Sequence, residues 1–199
     1  DIAVLRADLM MREVLSREDN YLAFLTGDNN FRYKINPNYK ANRKDKPRPR
    51  HLTACKDFLV SEYKAIVCDG YEADDALGFN QTNETTIYSI DKDLMMIPGC
   101  HFNFVNGEYT EVSELDGLKA FYRQMLIGDT SDNIHGVAKI GKVKAAKHID
   151  HLESEKEMAH VVMDLYNDVE RFIMNANCLW IMRKEGETYS KRPEVSQQV

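Results

Sequence analysis

Seven carboxylates stand in three short groups, each placed after a predicted strand or helix. The groups are Glu72, Asp74 and Asp75 in EADDALG, Asp91 and Asp93 in IDKD, and Asp129 and Asp132 in GDTSDN. Residues two apart in an extended chain, or three apart in a helix, share a face, so each group can present its carboxylates together. If the groups converge, their mutual repulsion raises several pKa values and destabilises the fold unless a cation joins them.

The residue types in these groups favour a hard divalent cation. Carboxylate oxygens suit Mg²⁺ or Mn²⁺, and no His or Cys accompanies them. His148 and His151 have the spacing of one helix face but lack a partnering Cys, so we do not expect zinc. Helix capping is the alternative explanation for each group taken alone, because acids near a helix N-terminus favour its dipole.

Two basic segments oppose the net charge of −6. Residues 32–50 contain eight Lys or Arg and one acid, and residues 136–147 contain four Lys and no acid. Local fields of this kind attract nucleic acid even when the whole chain is acidic. The pattern therefore predicts a nucleic-acid partner.

The periodicity of apolar residues predicts the elements that position these groups. Helices are predicted over about 1–15 and 52–63 and from EADDALGF onward, buried strands at 21–25, 65–68 and 85–90, and a hairpin over 101–112 about an Asn106-Gly107 turn. Ser113 is predicted to cap a helix that runs to about Leu126. Beyond Gly128 we expect helix almost throughout to about Arg183, with the helix around Trp180 in the core, and then a polar tail.

Strands that alternate with helices, followed by helices alone, predict an α/β core with a helical C-terminal subdomain. We place the core at residues 1–112, with a basic arch segment at about 32–62. The helical subdomain is then 113–199, with a helix–hairpin–helix at 134–148.

Bulk properties are consistent with a cytoplasmic protein. The 199 residues suffice for one sizeable core. The four cysteines lie far apart without a CxxC motif, which predicts reduced thiols. No apolar run approaches the ~18 residues of a membrane span, so we expect no membrane contact. The chain starts at Asp1 with a predicted helix, and we expect that upstream residues are missing.

Four motifs in one order make the sequence resemble the phage and bacterial 5'-3' exonuclease and flap endonuclease family. They are YKANR (39–43), YEADDALG (71–78), SIDKDLMMIPG (89–99) and GDTSDNIHGVAKIGKVKA (128–145). The resemblance covers about residues 20–150 and is strongest to the exonucleases of short-tailed phages. It implies an α/β, PIN-like core followed by a helical DNA-binding subdomain. It also implies that the seven carboxylates bind two Mg²⁺ ions, for which Mn²⁺ can substitute.

The resemblance assigns roles to basic residues as well. Lys40, Arg43, Asp75 and Asp91 are implied in catalysis, and Lys40 is similar to the family group that stabilises charge on the phosphate. Tyr39 is expected to stack on a terminal base, the alternative being that it packs on the core. The predicted DNA-binding set is Tyr39, Lys40, Arg43, Lys44, Arg48, Arg50, Gly136, Lys139, Gly141, Lys142 and Lys144.

The segment GVAKIGKVKAAK is predicted to form a helix, a glycine-containing turn and a second helix. Gly136 and Gly141 would permit the tight backbone, and exposed N–H groups at the start of the second helix can hold a phosphate. Similar turns in the family hold duplex DNA, in some cases with a monovalent cation such as K⁺ on the turn carbonyls. A plain helical hairpin with solvated lysines is the alternative.

Two features depart from the family pattern. The first metal-binding Asp of the family lies on an N-terminal strand, and no such strand precedes the helix predicted at 1–15. We therefore expect that strand to be missing. Another family acid falls near TGDNNFR, where Asp28 is either a metal ligand or a turn residue.

The function implied is that of a structure-selective 5'-3' DNA exonuclease or flap endonuclease that hydrolyses phosphodiesters. Its expected partners are duplex DNA with a 5' end, flap or nick, and replication proteins, in the host cytoplasm if the chain is phage-encoded. A DNA-structure-binding module without catalysis is one alternative, motivated by the missing first acid. A PIN-type ribonuclease that shares the acids is another.

Overall fold

The structure is a computed structural model that describes residues 1–192. Its α-helices are α1 (Ile2–Leu15), α2 (Arg32–Ile35), α3 (Leu52–Tyr63), α4 (Ala73–Asn80), α5 (Glu114–Ile127), α6 (Lys142–Ile149), α7 (Glu155–Tyr166) and α8 (Val169–Leu179). Its strands are β1 (Phe24–Thr26), β2 (Ile66–Cys68), β3 (Thr86–Tyr88), β4 (Gly99–Asn103), β5 (Glu108–Val112), β6 (Gly128–Asp129) and β7 (Ile134–His135). Short 3-10 helices lie at Ala41–Arg43, Asp93–Met96 and Tyr189–Lys191.

The strands within residues 1–192 form three small sheets. β1 and β2 pair in parallel, with Thr26 opposite Cys68. β3 runs parallel to β4, and β4 runs antiparallel to β5. β6 and β7 form a two-residue antiparallel pair. The ends of β2 and β3 therefore lead directly into the segments that carry the first two acidic groups.

Most of the predicted elements are confirmed. α1 and α3 begin and end close to the predicted residues, and α4 begins where it was predicted. α5 begins after Ser113, whose hydroxyl oxygen accepts a hydrogen bond from the Asp116 N–H at 3.1 Å. In the hairpin Asn103 pairs with Glu108, so the loop has four residues. Gly107 in that loop has a φ of +74°, which glycine adopts without strain.

The prediction of continuous helix after Gly128 was wrong for residues 128–141. The short pair β6–β7 occupies the first part, and α6 begins only at Lys142, so the first helix of the predicted helix–hairpin–helix does not form. Close packing explains the difference. A Cβ at Gly136 would lie 2.4 Å from the carbonyl oxygen of Leu126, and Val137 donates to that oxygen at 2.8 Å. The segment is therefore held against the end of α5.

The main hydrophobic cluster lies among α4, α5, α6, α7 and α8. Trp180 and Phe121 meet edge to face at 5.0 Å, which confirms that the helix around Trp180 serves the core. The cluster contains residues from both sides of position 112, such as Ile87 and Met125. The division of the chain at that position stays a prediction.

The residues from Lys184 to Arg192, which were predicted to form a polar tail, pack in part against the core. Tyr189 is only 1% exposed and stacks on Phe121 at a centroid distance of 5.4 Å. Both Nη atoms of Arg192 contact Glu155, at 2.5 and 2.7 Å. The rest of the predicted tail, residues 193–199, lies outside the described residues. Tyr189 and Arg192 therefore belong to the folded core.

β2 differs from the buried strand that its apolar residues predict. Ile66 and Val67 are 46% and 51% exposed. Within residues 1–192, β1 and β2 pair only with each other, so much of this sheet faces solvent. All four cysteines are unpaired, as predicted, although only Cys68 and Cys178 are buried. In the described part of the chain no helix is both long and apolar enough to span a membrane.

Candidate active site

The three acidic groups share one electrostatic environment. Burial, followed by the charges of Asp91 and Glu72, raises the pKa of Asp74 to about 7. Burial, followed by the charges of Asp91 and Asp129, raises the pKa of Asp93 to about 6. The charge of Asp91 therefore acts on the first group as well as on its own, and the charge of Asp129 acts on the second group.

Asp132 connects the third group to the first. Burial raises the pKa of Asp132, and the charges of Asp129 and Glu72 raise it further. The positive charge of Lys40 and a hydrogen bond from Tyr39 oppose this shift. Asp132 thus lies between the carboxylates of the site and the side chains of Tyr39 and Lys40.

Asp91 and Asp129 accept hydrogen bonds from backbone N–H groups of the turns that follow them. Asp91 Oδ1 accepts the Asp93 N–H at 3.0 Å at the start of a 3-10 helix. Asp129 Oδ1 accepts the Ser131 N–H at 2.7 Å and lies 3.3 Å from the Asp132 nitrogen. These hydrogen bonds stabilise the two turns and hold the carboxylates at the ends of their elements.

The donor chemistry fits a hard divalent cation. Within residues 1–192, no three His, Cys, Asp or Glu side chains are arranged closely enough to hold a metal ion. The pKa values of the partly buried Asp74 and Asp93 are nevertheless raised by the negative charge of Asp91, and a divalent cation would relieve that repulsion. Metal ligation by these side chains stays a prediction.

The structure corrects the metal-binding and catalytic roles predicted for Asp75. Its side chain is fully buried and accepts two hydrogen bonds from the Arg32 guanidinium, at 2.6 and 2.8 Å. Its Oδ1 also accepts the Met182 N–H at 3.1 Å, and its Oδ2 accepts the Glu72 N–H at 3.0 Å. Both oxygens are occupied within the protein, so Asp75 is not presented to a metal.

The structure also corrects the stacking role predicted for Tyr39. The ring is 1% exposed, so it cannot receive a DNA base. Its hydroxyl lies 3.0 Å from Glu72 Oε2 and 2.7 Å from Asp132 Oδ2. A buried tyrosine generally finds a partner for its hydroxyl, and here that partner is the acidic site. The alternative of Tyr39 packed on the core is the correct one.

Lys40 and Arg43 both lie against the acids. Lys40 Nζ contacts Glu72 Oε1 and lies 3.7 Å from Asp132 Oδ1. Arg43 Nη2 donates to Asp132 Oδ1 at 2.8 Å, and its Nε donates to the Ser131 carbonyl oxygen at 2.8 Å. The local structure is a 3-10 turn at Ala41–Arg43, and Lys40 before it lies in the left-handed region at φ 53°.

Asn42 and Asn133 strengthen this junction, and the sequence analysis missed both. Asn42 Nδ2 donates to the Thr130 carbonyl oxygen at 2.7 Å, and Asn133 Nδ2 donates to the Asn38 carbonyl oxygen at 2.8 Å. Their presence in YKANR and GDTSDN, the motifs that also carry Lys40 and Asp132, was the available signal.

The remaining predicted residues of the basic arch segment are exposed. Lys44, Arg48 and Arg50 all face solvent. Asp28 is exposed too, and its carboxylate lies 3.8 Å from the Arg48 guanidinium. Asp28 is not among the principal charges that shift the pKa of Asp74 or Asp93. The structure thus places Asp28 in a surface turn and does not bring it to the acidic site.

The start of α6 matches the predicted phosphate contact in part. Gly141 is the N-cap of α6, and a Cβ there would meet open space. Lys139, Lys142 and Lys144 are exposed around it, and Lys144 Nζ donates to the Lys139 carbonyl oxygen at 3.0 Å. Gly136, in contrast, is enclosed by backbone, so its role is close packing and direct DNA contact is not expected.

The raised pKa values predict how the metal-free protein responds to pH. Asp74 titrates at about 7 when folded and near 3.8 when unfolded, so the folded state binds more protons between these values. The free energy of unfolding should therefore fall as the pH rises towards about 7 through this window. Burial lowers the pKa of His101, which has the opposite effect below about pH 6.5.

We expect Asp74→Asn to remove a large part of this pH dependence, and Mg²⁺ at pH 8 to raise the melting temperature of the wild-type protein. Thermal unfolding in chelator at pH 6.5 and 8, followed by circular dichroism, measures the first effect. Repeating the pH 8 melt with Mg²⁺ measures the second. Equal pH dependence in wild type and variant would contradict the assignment of Asp74.

Residues 2–123 match the family described as 5'-3' exonuclease, N-terminal resolvase-like domain. A 5'-3' exonuclease of Buchnera aphidicola subsp. Schizaphis graminum is 27% identical over 168 residues, which are 75% of this chain and 56% of that protein. The exonuclease of Escherichia phage T7 is 31% identical over 130 residues, 60% of this chain and 43% of the phage protein. The chain thus spans about half the length of these curated relatives.

Solved structures show the same fold. The T5 5'-exonuclease with bound divalent metal ions (zinc) superposes with a TM-score of 0.64 at 17% identity, covering 88% of this chain and 80% of that one. The T5 flap endonuclease in a pseudo-enzyme-product complex with DNA and metal ions gives 0.56 at 17% identity, covering 85% and 78%. The PIN-like α/β fold class is confirmed. By the match over residues 2–123, the chain belongs to the 5'-3' exonuclease family.

Proposed function

We propose that this chain carries the catalytic site of a Mg²⁺-dependent 5'-3' DNA exonuclease or flap endonuclease. The observation that carries the proposal is the meeting of three acidic groups with Lys40 and Arg43 at one place. Membership of the 5'-3' exonuclease family supports it. Relatives named 5'-3' exonuclease and flap endonuclease, and the DNA complex of the T5 enzyme, support the choice of DNA.

The acids that remain after the correction of Asp75 supply the oxygen ligands. The residues that would hold two divalent ions are Glu72, Asp74, Asp91, Asp93, Asp129 and Asp132. When bound, such ions activate a water molecule and stabilise the leaving oxygen of an in-line displacement. These six carboxylates lie at the ends of strands and helices, so their negative charges are held in fixed positions. They would keep the ions close to Lys40 and Arg43, the proposed contacts of the phosphate.

Lys40 and Arg43 would contact the scissile phosphate. Both already lie beside carboxylates, so an incoming phosphate and divalent ions would redistribute these contacts. A preorganised cation next to the position where negative charge develops stabilises the transition state more than the ground state. Lys40, at 17% side-chain exposure, is the better shielded of the two, since Arg43 is 48% exposed.

The start of α6 would hold the duplex away from the cleavage site. Its exposed N–H groups and Lys139, Lys142 and Lys144 can bind backbone phosphates without reading base sequence. Each phosphate contact releases counterions, so binding should weaken steeply as salt rises. The K⁺ ion at this turn stays a prediction.

A binding module without catalysis is the second candidate, and one observation favours it. Lys40 and Arg43 form ion pairs with Glu72 and Asp132, the carboxylates that would otherwise bind metal. Within residues 1–192 no three His, Cys, Asp or Glu side chains have metal-binding geometry. A protein of this kind would recognise branched DNA through its basic surfaces and leave it uncut.

Incubation with a 5'-labelled flap substrate separates the two candidates. We expect Mg²⁺-dependent release of short 5' products, complete inhibition by chelator, and no release by Asp74→Asn at unchanged DNA affinity. An RNA substrate of the same shape, run in parallel, tests the ribonuclease alternative. Tight DNA binding without any cleavage by the wild-type chain would favour the binding module and overturn the nuclease proposal.

A further inference from the structure

We propose that Arg32 is the positioning residue of the acidic site, because it holds Asp75 and the start of α4 so that Glu72 and Asp74 face the other acids. The inference rests on the proposed metal-dependent function. It separates two adjacent aspartates, Asp74 and Asp75, that the sequence cannot tell apart.

Arg32 is held by four hydrogen bonds in a buried position. The residue is 2% exposed, and its Nη1 and Nη2 donate to the two oxygens of Asp75 at 2.6 and 2.8 Å. Nη2 also donates to the Trp180 carbonyl oxygen at 2.8 Å, and Nε donates to the Cys178 carbonyl oxygen at 2.7 Å. The planar guanidinium matches this arrangement, which a lysine cannot reproduce.

The charge of Arg32 is satisfied by Asp75. Burial opposes a charged guanidinium, but the hydrogen bonds and attraction from Asp75 more than offset it, so the pKa of Arg32 is raised overall. The Arg32 guanidinium therefore stays charged. Both oxygens of Asp75 face it, whereas Asp74 lies one residue earlier on the first turn of α4.

Asp75 transmits this anchoring to the start of α4. Its Oδ2 accepts the Glu72 N–H, and its Oδ1 accepts the Met182 N–H. The N-cap residue of α4 is thus fixed to the chain that follows α8. Arg32 Nη1 also lies 3.8 Å from Glu72 Oε2, so the same cation orients the Glu72 side chain. Loss of the Arg32–Asp75 hydrogen bonds would release the Glu72 N–H and remove one of the cations near the Glu72 carboxylate.

The proposal predicts opposite effects of matched substitutions at Asp74 and Asp75. In chelator, Asp74→Asn should raise the melting temperature, because it removes a partly buried carboxylate that lies near other acids. Asp75→Asn should lower it, because it leaves the buried Arg32 without a counter-charge. Should Asp75→Asn fail to fold, the double variant Arg32→Met, Asp75→Met should fold, because it leaves no buried charge unpaired, and it should still weaken Mn²⁺ binding. The proposal would be overturned if Asp75→Asn raised the melting temperature, or if neither substitution changed it.

Calorimetric titration with Mn²⁺ alone distinguishes positioning from support of the fold. We expect Arg32→Lys to weaken Mn²⁺ binding by about 10- to 100-fold, the usual effect of losing a partner that orients a ligand. We expect it also to lower kcat on flap DNA while leaving the KM for DNA unchanged. Titrations are run well below the melting temperature of each variant, so that only folded protein is compared.

The outcomes separate this inference from the proposed function. If Arg32→Lys lowers only the melting temperature and binds Mn²⁺ like the wild type, Arg32 merely supports the fold and the inference fails. If Asp75→Asn loses one bound Mn²⁺ while Asp74→Asn loses none, Asp75 is the ligand and the inference fails. If the wild type binds Mn²⁺ but does not cleave DNA, the nuclease proposal fails alone. If the wild type binds no Mn²⁺, both fail.

Discussion

Replacing Lys40 by Met is expected to lower kcat on a 5'-flap substrate by about 10²- to 10³-fold, the usual loss when one preorganised charge-stabilising group is removed. Lys40 Nζ lies beside Glu72 and within 3.7 Å of Asp132, at the centre of the site. Methionine keeps most of the side-chain length and loses the charge. Single-turnover kinetics at saturating Mg²⁺ and protein give the rate of the chemical step.

Two comparisons make the Lys40 result specific. Lys34→Met removes an exposed lysine six residues earlier and should leave the single-turnover rate unchanged. Binding of Mg²⁺ to Lys40→Met, measured without DNA, should not weaken, because the substitution removes a competing cation from Glu72. A rate equal to that of the wild type would exclude Lys40 from the chemical step, and weaker Mg²⁺ binding would mean that it supports the carboxylates.

Replacing Tyr189 by Ala is expected to lower the free energy of unfolding by about 3–5 kcal/mol, the range for removing a buried aromatic side chain. The ring is 1% exposed and packs on Phe121, while its hydroxyl lies 2.9 Å from that of Tyr122. Its removal leaves a cavity within the largest cluster of aromatic rings. Urea unfolding followed by Trp180 fluorescence measures the loss directly, because the two rings lie 6.2 Å apart.

Glu185→Ala, four residues before Tyr189, is the matched control for this prediction. Glu185 is exposed, so its replacement should change the free energy of unfolding by less than about 0.5 kcal/mol. A loss below about 1 kcal/mol for Tyr189→Ala would show that the residues after Arg183 do not belong to the core.

The family and the fold class were predictable from the sequence because four motifs in fixed order and the alternation of apolar residues are local signals. The start of α5 after Ser113 and the hairpin at Asn106-Gly107 were predictable for the same reason, because a helix cap or a turn depends on residues within a few positions. The meeting of the acidic groups was predicted only through the resemblance, because no spacing rule relates Asp74 to Asp93 or Asp132.

The errors concern residues whose partners lie far along the chain. Asp75 has the same residue type as Asp74, and only Arg32, 43 residues earlier, decides that it is buried and paired. Tyr39 is adjacent to Lys40 in a basic segment, yet Glu72 and Asp132 draw its hydroxyl inward. The helix predicted at 136–141 has suitable residues and fails because Gly136 packs against the end of α5.

The bonds from Arg32 to the carbonyl oxygens of Cys178 and Trp180 span 146 and 148 residues of sequence. During synthesis, Arg32 and Asp75 leave the ribosome long before Trp180 does. Until then they lack their hydrogen bonds to Cys178, Trp180 and Met182. The first turn of α4 then lacks its anchor, so the carboxylates it bears are still loosely arranged. A nascent chain of this protein is therefore expected to arrange these carboxylates only after Trp180 has left the ribosome.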